Sequence, residues 1–258
     1  MGSDFQKEYG KLIDRSVPLS AFLQPDDVAR AILFASLPRQ SVVAEITLEP
    51  SRDVQRMSVY TEKQAIEAML ASPSPYPSFS TSPPSPTALV TGAGRGIGRA
   101  IAIDLARRGF RLALIARTLS DLEEVGAACK AVRGDVRLML FPINVCNRAA
   151  LAEAVECAAS EGSLAVVVSN AGTNRRRSVA TADIRVWEEV VDTNLLSAMH
   201  LTRCAMPHLL RYAQATPAHV IFINSSLALE RTQPFPGVAP YATSKAGLAA
   251  FAKVCKSV

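Results

Sequence analysis

The stretch that decides the reading of this chain is Ala88-Leu89-Val90-Thr91-Gly92-Ala93-Gly94-Arg95-Gly96-Ile97-Gly98, ALVTGAGRGIG. A short apolar run leads into four glycines at alternate positions, and RAIAIDLARRGF (99–110) follows with apolar residues at helical spacing. Strand, glycine turn and helix in that order suit the pyrophosphate of a dinucleotide. Glycines let the backbone approach phosphate oxygens, and the opening helix aims free N–H groups and its positive end at them. Gly92, Gly96, Ile97 and Gly98 are therefore candidate cofactor-binding residues. Glycine spacing alone also fits an ordinary turn, so the flanking sequence has to decide.

RLALIA (111–116) reads as a second strand. Its end lies about 20 residues past the last glycine, where such a unit meets the adenosine ribose. An NAD-binding unit usually carries an acid there. This chain has Ala116 followed by Arg117, with Arg95 inside the glycine turn. Two cations at that end suit a 2′-phosphate, so the expected cofactor is NADP.

The bulk numbers agree with a single sizeable core. The chain has 258 residues, 49% of them hydrophobic, and a net charge of +5 from 28 basic and 23 acidic side chains. Arg175–Arg177 is the densest basic run, too short for a nucleic-acid footprint. The five cysteines are scattered without a CxxC pair, which argues against a disulfide framework or a zinc site. His200 and His208 read as packing or surface residues on a helix face. No apolar run reaches the roughly 20 residues of a membrane span, and the N-terminus lacks a secretory pattern. A cytoplasmic protein with no membrane or nucleic-acid partner is the expectation.

Along the chain, residues 1–53 read as a helix (Leu19–Ser36) and a half-buried strand (41–50), a unit too small to stand alone. Residues 54–86 form a linker, with a helix over Glu62–Leu70 and a Pro/Ser-rich segment, SPSPYPSFSTSPPSP, over 72–86. From 87 to 258 strands and helices alternate. A capping box at Ser120–Glu123 opens a helix to Val132, and strands follow at 136–144, 164–172 and 218–224. A long helical region over Asp183–Tyr212 is expected to break near Pro207. Alternation of this kind predicts an α/β fold, a doubly wound parallel sheet of the Rossmann type.

The residues with chemistry come late. Tyr241 and Lys245, in YATSK, stand at i and i+4 and share a helix face. A phenol is a poor base at neutral pH, and a neighbouring ammonium favours its anion. Ser225 and Ser226 end the fifth strand of the alternating unit, at the sheet edge where sites form. Asn194, in VDTNLL, is a further polar candidate.

These pieces together resemble the short-chain dehydrogenase/reductase family: TGAGRGIG (91–98), SNAG (169–172), Asn194, INSS (223–226) and YATSK (241–245). The resemblance covers about residues 87–252. It implies an oxidoreductase that moves a hydride between NADP(H) and a small carbonyl or alcohol substrate. Tyr241 would be the general acid/base, Lys245 would lower its pKa and hold the nicotinamide ribose, Ser226 would orient the substrate carbonyl, and Asn194 would support a relay water. Asn170, Ala171 and Gly172 would line the adenosine side, Asn144 and Val145 would sit by the adenine, and subunits would pair into a homo-oligomer.

Three departures stand beside it. Asn144 replaces the family's usual Asp. Ser226 and Tyr241 are 15 apart, longer than usual. The sequence given ends 13 residues past Lys245, before the family's sixth strand, nicotinamide-closing turn and seventh strand. In turn, residues 18–50 resemble the family's last helix and seventh strand, and Gly2–Phe5 the stretch beyond the closing turn. Two accounts compete: a permuted domain whose tail docks beside its own fifth strand, or the end of one reductase joined to the start of another. The apparent lack of a sixth strand favours the second. It also keeps open the alternative of an inactive member serving as a nucleotide-binding or assembly module.

Overall fold

The computed structural model describes residues 43–50, 57–59, 85–160, 164–215, 218–228 and 236–255. The elements in order are β1 (Val43–Pro50), β2 (Met57–Val59), β3 (Thr87–Thr91), α1 (Gly96–Arg107), β4 (Arg111–Ala116), α2 (Leu119–Val132), β5 (Leu138–Pro142), α3 (Arg148–Ala159), β6 (Leu164–Ser169), α4 (Ile184–Val191), α5 (Ser197–Ala213), β7 (His219–Ser225) and α6 (Ala239–Cys255). The helices expected over Leu19–Ser36 and Glu62–Leu70, and the segment 72–84, lie outside the described residues.

One seven-stranded sheet has the order β2-β1-β7-β6-β3-β4-β5. Every neighbouring pair is parallel except β1 with β2. The strand sequences explain why. TALVT, LAVVVS and HVIFINS are buried at every position, as strands covered on both faces must be. Successive side chains then divide between two cores. Val90, Leu114 and Val168 face α1 and α2, whereas Leu89, Ile115 and Val167 face α3, α5 and α6.

The sequence reading offered, as one of two accounts, a tail docked beside the fifth strand of the unit. In the structure a strand from the N-terminal side takes that place. β1 runs parallel to β7 in a register from Val43↔Val220 to Leu48↔Ser225. No further strand follows β7 among the described residues, so a segment from the N-terminal side supplies the neighbour.

Two local expectations are corrected. α2 takes Thr118 as its N-cap with no side-chain cap bond, so Ser120 lies inside the helix instead of capping it. The long helix runs through Pro207 unbroken; its irregularity is a π-turn at Asp192–Leu196 between α4 and α5. A proline removes one N–H and crowds one carbonyl, and α5 accommodates both. By contrast, α3 is capped as short polar residues do it, with the Asn147 side chain accepting from Ala150 N–H at 3.2 Å. Among the described residues, no helix is long and apolar enough to cross a membrane.

Candidate active site

The glycine turn is built by crowding. A Cβ on Gly98 would lie 2.3 Å from Gly92 O and 2.6 Å from Asn170 Nδ2; one on Gly92 would lie 2.9 Å from Ala171 Cα. A Cβ on Gly94 would meet Asp121 Cβ at 2.9 Å and Ala116 Cβ at 3.3 Å. Gly96 differs: its φ is +58° and nothing lies within 4 Å of the position a Cβ would take. Three glycines therefore let the turn fold against its neighbours, and the fourth leaves open space at the start of α1. That helix has no side-chain cap and no acid in its first turn, so its leading N–H groups are available to an anion.

Asn170 holds the turn from the next strand. Its Nδ2 donates to Thr91 O at 3.0 Å and Gly92 O at 3.2 Å. Thr91 Oγ1 donates to Val168 O at 3.2 Å and accepts from Asn170 N–H at 3.0 Å and Ala171 N–H at 3.1 Å. The ends of β3 and β6 are locked together at the sheet's carboxyl edge. The Asn170 amide is thus committed to the backbone of the turn, at the strand end where the sequence reading places the adenosine side.

Arg95 and Arg117 are both exposed at this end, Arg95 at the N-cap of α1 and Arg117 just past β4. Asp121, in the first turn of α2, also faces it, with Oδ2 3.5 Å from the Cβ position of Gly94. Sequence reading missed Asp121; the family spacing directs attention to the strand end, and Asp121 lies a few residues beyond. At the next strand end, Asn144 Oδ1 accepts from Cys146 N–H at 3.1 Å while Val145 is buried. The amide thus supplies the acceptor that a carboxylate would offer to this turn.

The proton-handling group lies at the end of β7. Lys245 is 5% exposed, and its ammonium donates to Ile223 O at 2.7 Å. Burial lowers its pKa from 10.5 to about 8. The same Nζ lies 5.9 Å from the centroid of the Tyr241 ring. Burial raises the Tyr241 pKa, and a hydrogen bond with the Ser225 side chain works in the opposite direction. The phenol is thus held protonated at neutral pH. The described hydroxyl that meets Tyr241 is that of Ser225; the Ser226 side chain lies outside the described residues.

Asn194 sits in the middle of the π-turn and is 1% exposed. Its Oδ1 accepts from Thr173 N–H at 2.7 Å, and its Nδ2 donates to Thr173 O at 2.9 Å and Ser244 Oγ at 3.0 Å. Ser244 Oγ in turn donates to Tyr241 O at 2.7 Å. The π-turn, a recurrent device at functional sites, aims this amide at both the loop after Gly172 and the helix that carries Tyr241. Ser225, Tyr241, Lys245 and Asn194 are therefore brought to the carboxyl edge of the sheet, the edge at which the glycine turn also follows β3.

Comparison with known proteins agrees with this fold. A family profile described as short chain dehydrogenase matches residues 86–257. The short-chain reductase protein NovJ of Streptomyces niveus is 34% identical over 168 residues, covering 64% of this chain and 60% of the relative. The 3-oxoacyl-(acyl-carrier-protein) reductase FabG of Staphylococcus aureus is 32% identical over 169 residues, covering 65% of each. An alcohol dehydrogenase from the archaeon Thermococcus sibiricus, solved with 5-hydroxy-NADP, superposes with a TM-score of 0.60 at 26% identity, covering 66% of this chain and 69% of that one. The chain spans less than two thirds of the length of these curated relatives.

Proposed function

This chain belongs to the short-chain dehydrogenase family, and from that premise we propose that it transfers a hydride between NADP(H) and a small carbonyl or alcohol substrate. The observation that carries the proposal is the placement of half-buried Tyr241 over buried Lys245, beside Ser225 at the sheet's carboxyl edge. The bound dinucleotide supplies or accepts the hydride. Tyr241 holds a proton at its phenol oxygen and gives it to a carbonyl oxygen in reduction, or takes it back in oxidation. Ser225 or Ser226 orients that oxygen. Lys245 brings positive charge toward the ring and the ribose, and Asn194 fixes the loop and the helix between which the substrate sits.

The residues present fit a dinucleotide. Open space at Gly96 and the uncapped, acid-free start of α1 would receive the pyrophosphate; Gly92, Ile97 and Gly98 form the turn. Asn170, Ala171 and Gly172 would line the adenosine side, and Asn144 and Val145 would flank the adenine. Arg95 and Arg117 favour the 2′-phosphate of NADP. Asp121 supplies a second reading, NAD, because a carboxylate at this end accepts from ribose hydroxyls and repels a phosphate. Pairing with a second copy, which the family resemblance implies, would cover the shallow groove of about 580 Å³ lined by Leu196, Met199, Met206 and Phe251.

Fluorescence titration of the purified chain with NADPH, and with NADH as the control, tests the cofactor. Micromolar binding with NADPH preferred is expected. Tyr241→Phe tests the chemistry: it keeps the ring and is expected to lose about 10²–10⁴-fold in turnover with cofactor binding intact. Turnover retained in that variant overturns the proton-transfer role; a folded chain that binds a nucleotide but turns over no carbonyl supports the inactive nucleotide-binding alternative, and one that binds neither supports the assembly module.

A further inference from the structure

β7 outruns its inner neighbour. The β6–β7 register ends at Ser169↔Phe222, so Ile223, Asn224 and Ser225 have no partner on β6. Across the other edge they are paired with Ile46, Thr47 and Leu48 of β1. These last residues of β7 are the ones the site uses. Ile223 O receives the Lys245 ammonium, and the Ser225 side chain meets Tyr241. Among the described residues, β1 is thus the one strand that pairs with the functional end of β7, and α6 and the 3₁₀ turn at Ser226–Ala228 also pack against β1.

We propose that β1, a segment far N-terminal to the glycine turn, is the positioning strand of the proton-transfer site: its pairing through Ile46, Thr47 and Leu48 holds Ile223–Ser225 where Lys245 and Tyr241 need them. This rests on the reading of Tyr241 as the proton-transfer group. A strand end paired on neither side frays and exposes its carbonyls. Without β1, Ile223 O and the Ser225 hydroxyl lose their fixed positions, while the glycine turn, four strands of the sheet and α1 keep theirs. β1 touches neither the turn nor β3 in the sheet order. Its effect is therefore expected chiefly on turnover, with dinucleotide affinity touched only through Lys245 at the ribose.

Native-state amide exchange on the full chain gives the first test. Segments 43–48 and 223–225 are expected to open together, with protection factors within about threefold of each other. Free exchange in 43–48 with firm protection in 223–225 overturns the proposal. The second test is the double substitution Ile46→Pro with Thr47→Pro, which removes whichever of the two adjacent N–H groups faces β7. The expected result is a loss of protection in 223–225 with β3 and β4 still protected. kcat should fall at least about tenfold and the KM for NADPH change less than about threefold. The pair Ile46→Val and Thr47→Val, which keeps both N–H groups, is expected to behave as the parent does. Unchanged kcat in the proline variant, once exchange shows 43–48 undocked, also overturns it. The exchange arm reads β7 whatever the chemistry. A chain that reduces no carbonyl would sink the functional reading and leave exchange to judge the strand.

Discussion

Asn194 Nδ2 donates to Ser244 Oγ at 3.0 Å, joining the π-turn to the helix that carries Tyr241 and Lys245. The same amide grips Thr173 through both its N–H and its C=O. A single side chain therefore ties together the loop after Gly172, the α4–α5 junction and the start of α6. Both ends of the amide are specified, since Thr173 N–H can only donate and Thr173 O can only accept.

Asn194→Ala is expected to cost about 2–4 kcal/mol in stability, because it strands the half-buried backbone groups of Thr173 and removes a partner from the buried Ser244 hydroxyl. Asn194→Asp should be at least as harmful: it keeps the acceptor for Thr173 N–H but turns a carboxylate oxygen toward Thr173 O. Urea denaturation of the two variants measures this directly. A loss below about 0.5 kcal/mol in both would show that the network is not structural. Ser244→Ala combined with Asn194→Ala should lose less than the sum of the singles, since each removes the same bond.

The glycines make opposite predictions. Gly98→Ala forces a Cβ to within 2.3 Å of Gly92 O and 2.6 Å of Asn170 Nδ2, and the Gly92 backbone cannot swing aside as a flexible side chain would. A destabilisation of about 3 kcal/mol is expected. Gly96→Ala meets no atom within 4 Å, so it pays only for its φ of +58°, about 1 kcal/mol. Yet its methyl enters the space proposed for the pyrophosphate. Thermal denaturation and NADPH titration of both variants should thus separate: Gly98→Ala unfolds early, whereas Gly96→Ala stays folded and loses affinity.

Why so much of this was legible is a matter of residue type. Strands buried on both faces leave unbroken apolar runs, so β4 was delimited at Arg111–Ala116 and β6 began at Leu164 as read. The Tyr241–Lys245 pair declared itself because one helical turn brings i and i+4 together. What escaped depends on tertiary neighbours. Nothing in VDTNLL announces that Asn194 would hold Thr173, 21 residues away, or Ser244, 50 residues away. Of two adjacent strand-end serines, sequence alone cannot say which faces Tyr241. The docking of β1 on β7 was legible only as one of two options, because pairing partners of an isolated strand are set by the edge it finds.

Lys245 sets the pH dependence of stability. Burial brings its pKa down from 10.5 to about 8, so between these values the unfolded chain binds more protons than the native one. Stability contributed at this position therefore rises with pH across that window. At pH 7.5 the buried ammonium costs roughly 3 kcal/mol; above pH 10.5 the cost is gone. Relative to Lys245→Met, which is neutral at every pH, the parent chain is expected to gain stability steadily from pH 8 to 10.5. Urea midpoints for the two proteins at several pH values read this difference, in which titrating groups away from Lys245 cancel. A flat difference would mean that the lysine titrates normally in the fold.

Cofactor choice turns on three side chains at one corner of the turn. Arg95 and Arg117 are exposed and present cations, whereas Asp121 places its carboxylate 3.5 Å from the Cβ position of Gly94. A 2′-phosphate gains charge-assisted hydrogen bonds from the arginines and is repelled by the aspartate; a ribose hydroxyl has the reverse preference. If the arginines dominate, Arg95→Ala with Arg117→Ala weakens NADPH about 10–100-fold, leaves NADH nearly unchanged, and shows a salt dependence in the parent that the variant lacks. Asp121→Ala should then tighten NADPH further. If Asp121 dominates instead, its removal weakens NADH about tenfold and the double arginine variant changes little. Titrating both nucleotides against the parent and the two variants separates these cases, because the first moves the affinity for NADPH and the second the affinity for NADH.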